Sequence, residues 1–163
     1  METGASSNEC SDIFAGPYPF SEPETAALRD FALEYKGNIH LYLAVHSFGQ
    51  YILYPWGYTS ALPENAPELH ALGLRVEAAI RAVAGTAYTV GSSTNVLYAA
   101  AGASDDWMKA IGGIDLSYTL ELPGGGISGF DLPASRIIPV VEETWEGIVE
   151  FQRYINEKFG PEV

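Results

Sequence analysis

The chain has 163 residues, 21 of them acidic and 8 basic, for a formal net charge of −13. That length suits one domain, and 47% hydrophobic with 18% charged residues is globular rather than disordered composition. The acidic balance excludes a nucleic-acid binder, which needs clustered Lys and Arg, and is compatible with a cationic substrate or partner.

No stretch reaches the roughly 20 apolar residues needed to span a bilayer, so no membrane role is expected. Residues 1–20 are polar and Gly/Ser-rich, do not read as a signal peptide, and form an irregular segment ahead of a folded unit at 21–163. Cys10 is the single cysteine. It has no internal partner, and no Cys-x-x-Cys or Cys/His zinc cluster exists.

In chain order, Ser21-Glu22-Pro23-Glu24 has the form of a capping box and opens a helix that runs to about Tyr35. Gly37-Asn38 stops it. Ile39 to Val45 is apolar on both faces, which predicts a central strand covered by helices on either side and delivering His46 at its end. Tyr51 to Tyr54 is a second strand, closed by Pro55. Asn65, Pro67 and Glu68 open a second helix whose Leu69, Leu72, Val76, Ile80 and Val83 recur as one stripe facing the sheet. Gly85 fits its C′ position.

Ala87 to Val90 reads as a third strand. The polar stretch Gly91 to Gly102 is too long for a routine connection and is suspect as functional. Ser104 is expected to cap a short helix containing Trp107, and Leu116 to Glu121 is a fourth strand. Pro139 opens the last helix, with Val141, Trp145, Ile148, Gln152, Ile155 and Phe159 on one side and Gly160 as its stop. Strands alternating with helices predict an α/β sheet, in which ligands gather beyond the strand C-terminal ends.

His46 and Glu121 both occupy such ends. His46 is either a hydrogen-bonded strand terminus or a metal ligand or general base. His40 lies about 20 Å away along the same strand, and His70 sits early in the second helix, so neither completes a metal site. Glu121 is either a structural partner for an amide or cation, or a general base poised by partial desolvation. The Pro123-Gly124-Gly125-Gly126 that follows lets the chain bend around a pocket. Tyr98 either packs on the core or swings over a ligand. Asp105-Asp106 either complement a helix N-terminus or floor a pocket for a basic side chain.

Taken together, several segments resemble the zinc metallocarboxypeptidases of the pancreatic A/B type. They are Gly4 to Cys10, His46-Ser-Phe-Gly-Gln50 with Tyr54-Pro-Trp-Gly-Tyr58, Tyr98 to Trp107, Tyr118-Thr-Leu-Glu-Leu122, and Gly129 to Pro139. The resemblance implies helices packed on a mixed, mostly parallel sheet, about half of that family's catalytic fold. It also implies hydrolysis of the C-terminal bond of a peptide or protein. On this resemblance His46 matches one zinc ligand of three, and Glu121 the glutamate that takes the attacking water's proton and passes it to the leaving amine. Tyr98 matches the tyrosine that closes over the terminal carboxylate, and Ser47 and Phe130 match residues of the cleft. Asp105 matches the specificity position, where an acid resembles the B type that removes C-terminal Lys or Arg.

The chain departs from the family in places. Phe48 replaces a tyrosine, Ser93 stands where the B type has glycine, and one residue is inserted between Trp107 and Glu121. The family's His-x-x-Glu ligand pair and its carboxylate- and oxyanion-binding arginines have no counterpart here, nor has the cysteine that the resemblance pairs with Cys10. The expectation is the second half of a secreted enzyme's catalytic domain, extracellular in its full-length form and inactive as this chain alone. Self-association through an exposed sheet edge is expected. A non-catalytic peptide-binding or interaction module derived from a carboxypeptidase is the alternative.

Overall fold

Nine elements organise residues 3–160, the part of the chain that the computed structural model describes. They are α1 (Pro23–Glu34), β1 (Leu41–Ser47), β2 (Tyr51–Tyr54), α2 (Ala66–Ala84), β3 (Thr89–Ser92), α3 (Ser93–Val96), α4 (Ser104–Ala110), β4 (Leu116–Leu122) and α5 (Ala134–Phe159). The strands form a sheet in the order β1-β4-β2-β3. β1 runs parallel to β4 and β2 parallel to β3, while β2 and β4 are antiparallel. The sheet is therefore mixed and mostly parallel, with helices on both faces, as expected.

Alternation along β1 and β4 assigns the faces. Leu41, Leu43, Leu116, Tyr118 and Leu120 join the main core with Leu69, Leu72, Val76 and Ile80 of α2 and Phe151 of α5. The Tyr118 ring lies 5.0 Å from Phe151, and its hydroxyl donates to the Leu69 carbonyl at 2.9 Å. On the opposite face Tyr42 packs with Ala32, Met108, Ile114 and Trp107, beneath α1 and α4. Gly147 lets α5 cross α2 closely, because a Cβ there would stand 2.8 Å from Ile80. Gly85 ends α2 at φ +83°, a left-handed conformation that a side chain would strain.

Several sequence expectations need correction. β1 is an edge strand in this sheet, not a central one, and its second half, Val45 to Ser47, is exposed. Its apolar character serves two helix layers but only one strand neighbour. The capping box does not form, because the Ser21 hydroxyl donates to the Glu22 side chain and Glu22 becomes the N-cap. Ser104 is likewise the first helical residue of α4, after Ala103 as N-cap, and its hydroxyl receives the Tyr42 phenol at 3.0 Å. β3 starts two residues later than expected, and the Gly91–Gly102 stretch is partly strand and partly the short α3.

The last helix opens at Ala134 and carries Pro139 inside its first turns. Pro139 lies past the first turn, so the Ser135 carbonyl four residues earlier receives no amide from it. The buried side of α5 is Val140, Glu143, Thr144, Gly147 and Phe151 rather than the apolar stripe read from the sequence, whose Val141, Trp145 and Phe159 are exposed. Val83 of α2 is exposed as well.

Candidate functional site

Parallel in-register pairing sets His46 of β1 directly beside Glu121 of β4, at the spacing of neighbouring strands, about 4.8 Å. Both side chains leave the sheet on its α1/α4 face, since their neighbours Tyr42 and Ser117 contact α4. His46 is exposed, and no hydrogen bond among the described residues engages its ring. Glu121 is half-buried, with one carboxylate oxygen, Oε2, enclosed and without a protein partner. Burial pushes the Glu121 carboxyl above its usual range, and the nearby His46 acts in the opposite sense. A carboxylate held close to a proton's reach and an accessible imidazole are thus brought together by strand order.

The turn after β1 carries two further candidates. Ser47 closes β1 and is exposed, and the Gly49 amide donates to the Leu122 carbonyl at 3.0 Å, fastening the turn to β4. Phe48 meets Phe130 edge-on at 4.9 Å, which draws the glycine-rich segment after β4 over the same end of the sheet. Tyr98 is 72% exposed in the segment after α3. Among the described residues no hydrogen bond or ring contact ties it to the others.

Asp105 and Asp106 occupy the first turn of α4, yet both are buried. They do different work. Asp106 accepts from the Gly57 amide at 2.9 Å and from the Tyr58 amide at 3.2 Å, so it holds the 57–58 turn. Asp105 is 2% exposed, and its Oδ2 has no protein partner. Its carboxyl is pushed up to about 6, first by burial and then by the Asp106 charge. The amides of Asp106 and Asp105 and the Thr119 hydroxyl pull the other way. Thr119 lies two residues before Glu121 on the same face of β4, so the Asp105 carboxyl sits one strand repeat below the Glu121 carboxyl.

Sequence reading missed Thr119 and the division of labour between the two aspartates. An Asp-Asp pair at a helix start carries no sign of which member is sealed. Replacing Asp106 with Ala is expected to lower the unfolding free energy by about 1–3 kcal/mol, because the buried Gly57 amide and the part-buried Tyr58 amide lose their acceptor. Urea unfolding measures it, and an unchanged midpoint would refute the anchoring role.

A catalytic zinc takes three protein ligands and an open position. Among the described residues no group of three His, Cys, Asp or Glu is placed to hold a metal. His70 is occupied at 3.3 Å from the Tyr54 hydroxyl, and His40 is stacked on Phe159 at 4.1 Å. An accessible imidazole beside a carboxylate with an unpartnered oxygen fits one corner of a zinc site with its proton acceptor. It does not fit the whole.

Comparison with known proteins gives a consistent result. A family model described as zinc carboxypeptidase matches residues 1–147. Carboxypeptidase B of Astacus astacus is 49% identical over 98% of this chain and 52% of its own length. Zinc carboxypeptidase A 1 of Drosophila melanogaster is 42% identical over 91% of this chain and 35% of its own. The solved structure of bovine thrombin-activatable fibrinolysis inhibitor, in complex with tick carboxypeptidase inhibitor, superposes with a TM-score of 0.91 at 35% identity. It does so over 96% of this chain and 53% of that one. The chain thus spans about half the length, or less, of the relatives it matches.

Proposed function

We propose, since the chain belongs to the zinc carboxypeptidase family, that it carries the proton-transfer and specificity side of a B-like carboxypeptidase site. The observation that supports this reading is the in-register pairing of His46 with Glu121, whose Oε2 is enclosed and unpartnered. The substrate is the C-terminus of a peptide or protein ending in Lys or Arg. The enzyme from which the reading derives acts outside the cell.

The residues divide the work as follows. Zinc, when bound, supplies Lewis-acid polarisation of the scissile carbonyl and a more acidic water. His46 offers it one of three ligands. Glu121 Oε2 accepts the proton of the attacking water and returns it to the departing amine, a role that its raised pKa favours. Tyr98 closes over the terminal carboxylate from its exposed segment, while Ser47 and Phe130 line the cleft. Asp105 answers the substrate's cationic side chain through charge pairing.

One imidazole cannot replace three ligands, so the chain alone is inactive in this reading. The remaining ligands come from polypeptide corresponding to the part of the relatives that this chain does not span. The test has two arms. Dialysed with zinc, the chain alone should retain well under one zinc and release no Lys from a Lys-terminated peptide. Mixed or fused with the complementary part of a carboxypeptidase B, it should bind zinc and hydrolyse that peptide. Stoichiometric zinc with turnover in the first arm would overturn the partial-site reading. Zinc binding without turnover in the second would favour the non-catalytic module.

The complementing segment has a place to dock. β1 lacks a strand neighbour on its outer side among the described residues. Phe159, at the end of α5, stacks on His40 just before β1, and Val141 and Trp145 of the same helix are exposed. Val45 and Trp145 are 53% and 59% exposed. Open strand edges flanked by apolar surface recruit other chains. Alone, the chain is expected to pair with a second copy here, and light scattering should show concentration-dependent dimers that Val45→Lys with Trp145→Glu removes. A monodisperse wild-type monomer at high concentration would refute this.

A further inference from the structure

A buried polar cluster joins α5 to the turn between α2 and β3, and no part of the catalytic reading uses it. Glu143, Thr144 and Tyr88 are all more than nine-tenths buried. The Thr86 hydroxyl donates to Glu143 Oε2 at 2.6 Å, leaving Oε1 enclosed without a protein partner. The Tyr88 hydroxyl and the Thr144 hydroxyl are enclosed and unpartnered as well. Thr86 stands two residues before Tyr88 and Glu143 next to Thr144, so the Thr86–Glu143 bond brings the two pairs together. Burial and the Glu143 charge push the Tyr88 phenol up to about 12, and the Thr144 hydroxyl acts in the opposite sense.

Charge pairing does not resolve the cluster. Arg81, the nearest cation in sequence, is engaged by Glu77, whose Oε1 accepts from its Nε at 2.8 Å and from the Tyr88 amide at 3.4 Å. Among the described residues no ion pair reaches Glu143. Buried carboxylates are stable only with full hydrogen bonding or a counter-charge.

We propose that Glu143, Tyr88 and Thr144 form an internal binding site for one structural water molecule. The water accepts from the Tyr88 and Thr144 hydroxyls, both buried and unpartnered, and donates a hydrogen to Glu143 Oε1. Three hydrogen bonds are typical of a buried water. The site links two segments that lead to the candidate active site. β3, after Tyr88, leads into the stretch that carries Tyr98. α5, which holds Glu143 and Thr144, follows the loop that carries Phe130. The water is thus a pin that fixes the base of both walls.

Two measurements test it. A high-resolution crystal structure of the chain should show a fully occupied water within hydrogen-bond distance of all three atoms. The melting temperatures of Tyr88→Phe, Thr144→Val and the double variant should each fall, by a few degrees for the single variants. The double variant should fall by clearly less than the sum, because the first substitution already evicts the shared molecule. Direct contacts that satisfy the three groups with no water density would overturn the proposal. So would additive melting shifts, which mean that the hydroxyls act independently. Both variants are conservative, and the wild-type density decides the matter even if one of them fails to fold.

Discussion

Replacing Glu121 by Gln in the complemented enzyme is expected to lower kcat on a Lys-terminated peptide by about a hundredfold to ten-thousandfold, the range of a general acid–base group. KM should change little, because the proton acceptor works in the transition state rather than in substrate binding. Gln keeps the volume and one acceptor oxygen but cannot take the water's proton. A second readout separates chemistry from collapse. Because burial raises the Glu121 carboxyl, the folded state resists its ionisation, and this costs stability as pH rises above the ordinary carboxylate range. The Gln variant of the isolated chain should therefore melt no lower than the wild type at pH 7. A kcat within tenfold of wild type would remove Glu121 from the mechanism.

The contrast between strands and helices shows what the sequence discloses. The α2 stripe was legible because Leu69, Leu72, Val76 and Ile80 are apolar at helical spacing and are all buried. The α5 stripe misled for the converse reason. Its apolar Val141 and Trp145 are exposed, while the polar Glu143 and Thr144 are buried. The buried face is set by the close crossing at Gly147 and by the cluster at Thr86, not by hydropathy. β1 misled similarly, since two helix layers make a strand apolar on both faces even where a strand neighbour is missing.

The candidate site was legible in its members but not in its juxtaposition. His46 and Glu121 stood out as polar residues ending apolar strands. That they are cross-strand neighbours depends on β4 inserting between β1 and β2, a non-local choice that no local pattern encodes. Phe48 against Phe130 depends on the same closure. Asp105 is the extreme case. At a helix start it reads as a solvated dipole partner, and only packing beneath β4 turns it into a sealed acid.

That sealing has a measurable cost. The Asp105 carboxyl stands at about 6 in the folded chain against an ordinary 3.8. The folded state therefore binds this proton more tightly than the unfolded state. Stability present below pH 3.8 is lost as pH rises through 6, and the loss is complete above it. Two units correspond to roughly 3 kcal/mol. Asp105→Asn is thus expected to raise the melting temperature at pH 7.5 by about 5–10 °C and to leave it nearly unchanged at pH 4. The same variant in the complemented enzyme should lose its preference for Lys over Leu at the substrate C-terminus by at least about tenfold, since a cationic side chain loses its buried partner. Wild-type KM for the Lys peptide should fall as pH rises from 5 to 7, because the cation favours the ionised carboxylate, while KM for the Leu peptide stays flat. A stabilising substitution that destroys specificity is what a site residue kept against its folding cost predicts. Equal melting temperatures at both pH values would show that Asp105 costs nothing to bury, and its place as the floor of a basic pocket would fall with that cost.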